Sequence, residues 1–260
     1  MDEAVLVKQV DIHVHLTDGE YSPFSGYLKT YLKFSDVILV CVSVDSKTSL
    51  DTVKLAQEFP RKVLPFVGIS PQMAEIADIE NFLEDLDKVK DIVVGIGEIG
   101  LDRRIGSNQV LSDAQKNIFR VQLEVAEKLG KPVALHTRGT LNETLETLTS
   151  YQIKNVLLHW FTGSDDELKE VTDNGYYASF GPAMVSSKRK RQLVCSMPKE
   201  YILVETDGPV RFSGCFEGKI ALPTFLPTVL LSLSSSLNMS YDDVVSLVFK
   251  NSEKYLSIPL

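Results

Sequence analysis

The chain alternates short, densely apolar blocks with longer stretches in which apolar residues recur every three or four positions. The blocks Val10–Leu16, Val37–Val44, Val63–Ile69, Ile92–Ile96, Pro132–Leu135, Val156–Leu158, Tyr176–Phe180 and Tyr201–Val204 read as strands. The unbroken apolar run at 37–44 is the pattern of a strand covered on both faces. Helices are predicted over Ser46–Glu58, Met73–Val89, Asp113–Leu129, Leu141–Leu148, Asp165–Thr172 and Ser186–Cys195, with two more in Leu222–Leu237 and Tyr241–Leu256. Thr17 to Lys33 reads as a polar loop running into an amphipathic stretch. The 113–129 stretch is the clearest helix, with Gly130 as its stop signal.

Buried strands alternating with helices imply a parallel sheet. Eight such units in 260 residues match the size of a closed barrel, which takes about 250 residues. The predicted architecture is therefore α/β: a (β/α)8 TIM-type barrel, a single domain over 1–260 with an extra C-terminal helix. An open doubly wound sheet is the alternative, but no Gly-x-Gly-x-x-Gly follows an early strand.

His13 and His15 are two apart in the first strand, so their imidazoles share a face and can hold one ion. A strand can also carry two solvated histidines, so this pair alone leaves the matter open. The chain has four histidines, and the other two, His136 and His159, also follow strand blocks. Glu98 and Asp207 follow the fourth and eighth blocks. Strand carboxyl ends surround the active site of a barrel, which brings these imidazoles and carboxylates to one mouth. Such a donor set suits one or two divalent ions, with imidazole favouring zinc and carboxylate also accepting Mg or Mn.

Composition narrows the class. Hydrophobic residues at 44% and charged residues at 24% are ordinary for a globular protein, and no apolar run is long enough for a membrane span. Net charge is −8, which disfavours nonspecific coating of duplex DNA but not a locally basic cleft. Three cysteines without paired spacing suit a reducing compartment. With an acidic start at Met1-Asp2-Glu3-Ala4 that does not read as a signal peptide, the expected location is cytoplasmic.

The motifs Asp11-x-His13-x-His15, Gly97-Glu98-Ile-Gly-Leu-Asp102, Leu135-His136-Thr-Arg138, Leu158-His159-Trp-Phe-Thr-Gly163 and Val204-Glu205-Thr-Asp207-Gly-Pro209 occur in this order. Together they resemble the signatures of the TatD-type metal-dependent deoxyribonucleases, of the amidohydrolase-like barrels. The resemblance spans residues 10 to 255. It implies that His13, His15, Glu98 and Asp207 hold one metal and that Glu98, His136 and His159 serve a second, with Glu98 bridging. It also implies hydrolysis by metal-activated water, with Asp207 as general base. Departures from the family pattern are Ser70 at a usual histidine, Trp160 at a usual cysteine, Arg103-Arg104 at a usual aromatic, and Gly208 at a usual alanine or serine.

For substrate contacts, Arg138 could grip a phosphate or pair with a nearby carboxylate. Trp160 and Phe161 could stack on a base or form wall. Arg103, Arg104, Arg138, Arg211 and the run Lys188-Arg189-Lys190-Arg191 follow strand ends, while the third helix is acidic. A basic mouth on an acidic body is expected, unless 188–191 is merely a solvated face. Asp102 is expected to orient its own loop, Glu205 to position a neighbour, and Asp11 to lie on the opposite strand face from His13 and His15.

The expected activity is phosphodiester hydrolysis at single-stranded or frayed DNA ends, with no membrane and no obligatory protein partner. Cleavage of an amide, ester or lactone, such as an aminoacyl ester, is the alternative on the same scaffold. A metal-free binding protein on a retired enzyme fold is a third reading, against which the intact ligand set speaks.

Overall fold

The computed structural model describes residues 8–105 and 110–260. Within them eight parallel strands pair in sequence order: β1 (Gln9–Val14), β2 (Val37–Val42), β3 (Val63–Val67), β4 (Gly95–Asp102), β5 (Val133–Arg138), β6 (Val156–Leu158), β7 (Tyr177–Phe180) and β8 (Ile202–Val204). The seam between the last strand and the first is bridged by backbone bonds. The Asp207 N–H donates to the His13 carbonyl at 3.0 Å, and the His15 N–H to the Gly208 carbonyl at 2.8 Å. The result is a (β/α)8 TIM-type barrel.

Around it run α1 (Ser25–Phe34), α2 (Ser46–Glu58), α3 (Ile79–Val89), α4 (Asp113–Leu129), α5 (Leu141–Leu148), α6 (Asp165–Asp173), α7 (Ala183–Ser186), α8 (Lys188–Ser196), α9 (Leu226–Leu237) and α10 (Tyr241–Leu256). Several begin where a side chain satisfies the first free backbone N–H groups. Asp45 and Ser164 form capping boxes, and Ser112 accepts from the Gln115 N–H. Gly130, at φ 62°, ends α4 in the left-handed conformation that glycine adopts without a Cβ penalty.

Alternation along the strands divides the core into two layers. Val37, Leu39 and Cys41 face the helices, while Val10, Ile12, Ile38, Val40 and Phe66 fill the barrel. The end of α10 joins this inner layer. Buried Tyr255 lies beside Phe66 and Tyr177, and its hydroxyl donates to the Val133 carbonyl at 2.9 Å. Val133 opens β5, so Tyr255 plugs the end of the barrel opposite the mouth.

Four expectations are corrected. The acidic helix expected from Met73 begins at Ile79, because Asp78 caps it through the Asn81 N–H and the preceding residues form turns. The strand expected at Ile92–Ile96 starts at Gly95 and runs to Asp102, since β5 extends to Arg138 and the two stay paired to that point. Glu98 and His136 therefore lie within strands rather than at their ends. The helix expected at Ser186–Cys195 is two, α7 and α8, divided at Ser187, whose side chain accepts from the Lys190 N–H. The helix expected from Leu222 begins at Leu226, after a 3-10 turn at Pro223–Phe225.

Candidate metal centre

Two strand irregularities place the central groups. Between Asp11 and Val14, β1 advances three residues while β2 advances two, and β4 does the same against β5 between Ile96 and Ile99. Each is a bulge, which re-aims the side chains within it. His13 sits in the first and Glu98 in the second. Strict alternation would put Asp11 on the face of His13 and His15. Instead its carboxylate accepts from the Thr206 N–H at 2.9 Å and the His13 N–H at 3.3 Å, and also takes the Thr206 hydroxyl.

Glu98 is the hub. Its Oε1 lies 2.8 Å from His136 Nδ1 and 3.3 Å from His159 Nε2, and its Oε2 lies 3.3 Å from His15 Nε2 and 3.7 Å from His13 Nε2. Asp207 Oδ1 faces His13 and His15 at 3.7 and 3.6 Å. The His13 and His159 rings stack with centroids 3.9 Å apart. Three ligand groups result: His13–His15–Glu98, His13–His159–Asp207 and Glu98–His136–His159. The six residues proposed from sequence thus converge.

The donors fit a cation. His13 Nε2, which faces Glu98 and Asp207, is buried without a hydrogen-bond partner, an arrangement that is costly unless something else satisfies it. Two ligand atoms about 2.1 Å from a tetrahedral ion stand about 3.4 Å apart, within the 3.3–3.7 Å that separates Glu98 from His13, His15 and His159.

Electrostatics in the metal-free centre point the same way. Burial, aided by neighbouring His159, pushes His13 down to about 3. Burial opposes the charge on His15, but the carboxylates of Asp207 and Glu98 overcome it and raise the imidazole to about 10. His136, buried but flanked by Asp102 and Glu98, rises to about 9. Burial also opposes the charge on Glu98, yet His159 and the other imidazoles hold it well below the usual carboxylate range. Glu98 is thus kept ionised by positive charge that a divalent ion can replace.

A supporting layer was only partly foreseen. Asp102 Oδ2 lies 3.0 Å from His136 Nε2, and its Oδ1 accepts from the Arg104 N–H at 2.7 Å. Glu205 accepts from the Ser179 hydroxyl at 2.6 Å and stands 3.9 Å from His159 Nδ1. Two buried glutamines of α4 went unnoticed in the sequence. Gln115 clamps the Asp102 backbone and Gln122 the Ile69 backbone, each using its amide oxygen and nitrogen. Their signal was two amides seven residues apart in an otherwise apolar helix face.

The rim is less organised. The Arg103 guanidinium pairs with Glu143 and donates to the Gly139 carbonyl, and Arg189 pairs with Asp165 at 2.8 Å. Lys190 reaches the Phe161 carbonyl, Arg191 the Met184 and Val185 carbonyls, and Arg211 pairs with Glu20 at 2.6 Å. Arg138 and Lys188 are exposed with no ion-pair partner among the described residues. Phe161 is buried wall. Trp160, half-buried at φ 42°, lies against Phe212 with ring centroids 5.2 Å apart. Ser70 is buried, and its hydroxyl has no partner. At Gly208 a Cβ would fall 1.8 Å from the Tyr21 hydroxyl, which donates to the Ala221 carbonyl at 2.6 Å. That contact gives Gly208 a physical reason. Among the described residues no helix is long and apolar enough to cross a membrane.

The chain as a whole is similar to known proteins. The sequence profile of the family described as TatD related DNase matches residues 10–257. The human deoxyribonuclease TATDN3 is 28% identical over 212 residues, covering 77% of each chain. The uncharacterized metal-dependent hydrolase YabD of Bacillus subtilis is 26% identical, covering 95% of this chain and 98% of its own. Among solved structures, the TatD homolog YjjV of Escherichia coli superposes with a TM-score of 0.86 at 23% identity, over 98% of this chain and all of that one.

Proposed function

The chain belongs to the TatD-related DNase family and is a metal-dependent hydrolase; from that premise we propose that it cleaves phosphodiester bonds at single-stranded or frayed DNA ends. The observation that carries this reading is Glu98, one carboxylate within 3.7 Å of four imidazoles. Glu98 would hold the cation together with His13, His15, Asp207, His136 and His159. Mg, Mn and Zn are the ions this donor set admits.

A bound ion supplies Lewis-acid charge that polarises a phosphoryl oxygen and acidifies water enough to attack near neutral pH. Asp207, buried beside His13 and His15, takes the proton of the attacking water as general base. Glu98 holds the imidazoles around one locus, which fixes where the phosphate must lie. Arg138, exposed at the end of β5, offers its guanidinium fork to a non-bridging phosphate oxygen. Trp160, backed by Phe212, offers a face to the terminal base. Lys188, and Arg103 and Arg189 by exchanging their ion-pair partners, attract the following phosphates. The three free cysteines, one buried and two exposed, suit a reducing compartment such as the cytoplasm.

The test is a time course with end-labelled single-stranded and frayed duplex DNA in Mg, Mn or Zn, beside His136→Ala and Asp207→Ala. Stepwise shortening by the parent and not by the variants supports the proposal. No shortening with any ion overturns it in favour of an amide or ester substrate.

A further inference from the structure

His136 meets the centre through Nδ1 and the protein through Nε2. The Nδ1 atom faces Glu98 Oε1 at 2.8 Å and His159 Nε2 at 3.3 Å. The Nε2 atom lies 3.0 Å from Asp102 Oδ2. Asp102 is 2% exposed and held on every side. Its own N–H donates to Gln115 Oε1 at 3.0 Å, Gln115 Nε2 donates to its carbonyl at 3.3 Å, and its Oδ1 accepts from the Arg104 N–H at 2.7 Å. A chain of fixed contacts therefore runs from α4 through Asp102 to the imidazole.

Resting on the metal-centre reading above, we propose that Asp102 is a positioning residue that holds the proton of His136 on Nε2. The lone pair of Nδ1 then points at the cation locus, and His136 ligates through Nδ1. An ionised carboxylate only accepts hydrogen bonds, so the nitrogen facing it must carry the proton. A carboxylate behind a ligating histidine also fixes the ring orientation and strengthens the donor atom. Glu205 does not serve His159 in the same way, because 3.9 Å is beyond a hydrogen bond.

Asparagine makes a sharp probe. Asp102 accepts twice, from Arg104 at one oxygen and His136 at the other, whereas an asparagine side chain has one acceptor oxygen and one donor nitrogen. If the oxygen stays with Arg104, the amide faces Nε2 and favours the tautomer with the proton on Nδ1, where it blocks the cation.

The experiment uses zinc-loaded, 15N-labelled protein, with the His136 ring signals identified by their loss in His136→Gln. The expected wild-type spectrum shows Nε2 protonated and Nδ1 bound to zinc. Asp102→Asn and Asp102→Ala are expected to bind zinc about 10–100-fold more weakly in a competition titration, with metal-free melting temperatures measured alongside. A wild-type spectrum with the proton on Nδ1 and zinc on Nε2 would overturn the proposal, and it decides even if neither variant folds. Undiminished zinc affinity in both folded variants would overturn it too. Undiminished affinity in His136→Gln would instead remove the ligand itself, a failure of the underlying reading and not of Asp102 alone.

Discussion

At the floor of the barrel mouth His13, Glu98, His159 and Asp207 are each no more than 6% exposed, and each contacts at least one other charged or ionisable group of the centre. At the rim, Arg103, Arg138, Lys188 and Arg189 have the charge a nucleic acid would need, but their side chains reach into water or pair with exposed acids. That contrast sets where substitutions should matter. A buried group that loses its partner costs about 3–5 kcal/mol, whereas an exposed ion pair contributes about 0.2–1 kcal/mol. The floor should act as one unit and the rim as separate, replaceable parts.

The largest test of that contrast is Glu98→Ala. Removing the hub leaves four imidazoles without their shared carboxylate, and kcat/KM for hydrolysis should fall at least about 10³-fold, as when a centrally placed electrostatic group is lost. Steady-state kinetics with saturating Mn checks it. A loss below tenfold would mean that the floor is no more cooperative than the rim.

Metal removal comes next. At about 100 times its Kd an ion stabilises the folded state by about 2.7 kcal/mol, so chelation should lower Tm by about 5–10 °C for a chain of this size. Calorimetry with and without EDTA reads this directly. Protons must leave when the ion enters. His15 and His136, raised to about 10 and about 9 in the metal-free centre, hold their protons at neutral pH and must release them to ligate. Affinity should therefore rise with pH through the neutral range and level off above about 10, which titration calorimetry in two buffers can follow.

Gly208 offers an intermediate effect at the junction of floor and rim. Gly208→Ala drives a methyl group into the Tyr21 hydroxyl, and overpacking of this kind costs about 1–3 kcal/mol. Tyr21→Phe alone loses a buried hydrogen bond to Ala221, at about 1 kcal/mol. The double variant should be less destabilised than the sum of the two, because loss of the hydroxyl relieves that clash, while the clash of the methyl with the Ala221 carbonyl oxygen, 2.3 Å from the added Cβ, keeps part of the cost. Chemical denaturation of all four proteins closes the cycle, and strict additivity would deny the contact.

These magnitudes also show why the floor could be read from sequence and the rim could not. Four histidines and two carboxylates each sat beside a strong apolar block, so topology alone carried them to one mouth. The end of α4 and the bounds of β6 were legible because local signals set them: Gly130 for α4, a short apolar run for β6. The bulges at His13 and Glu98 were not, since they arise from three residues opposing two on another strand. The same holds for Gln115 behind Asp102, Asp165 beside Arg189 and Glu143 beside Arg103. These partners are separated by 13 to 40 positions along the chain and meet only after folding.

The smallest expected effects lie on the rim, and there the comparison can be sharpened within one class of residue. Arg138 has no ion-pair partner among the described residues, so no carboxylate in contact with it competes with a substrate phosphate. Arg138→Ala should raise the KM for a short oligonucleotide about tenfold, as the loss of one charge-assisted contact would, with kcat nearly unchanged. Arg189 is already paired with Asp165 across two half-exposed side chains, so a phosphate must compete with a carboxylate for it. Arg189→Ala should change KM less than about twofold, since exposed pairs of this kind are worth little. Raising the salt should narrow the gap between the two variants, because exposed charges are screened within about 8–10 Å at 0.1–0.15 M. Equal effects from both substitutions at every salt concentration would show that the rim attracts substrate through its summed field, with no arginine set apart by its local pairing.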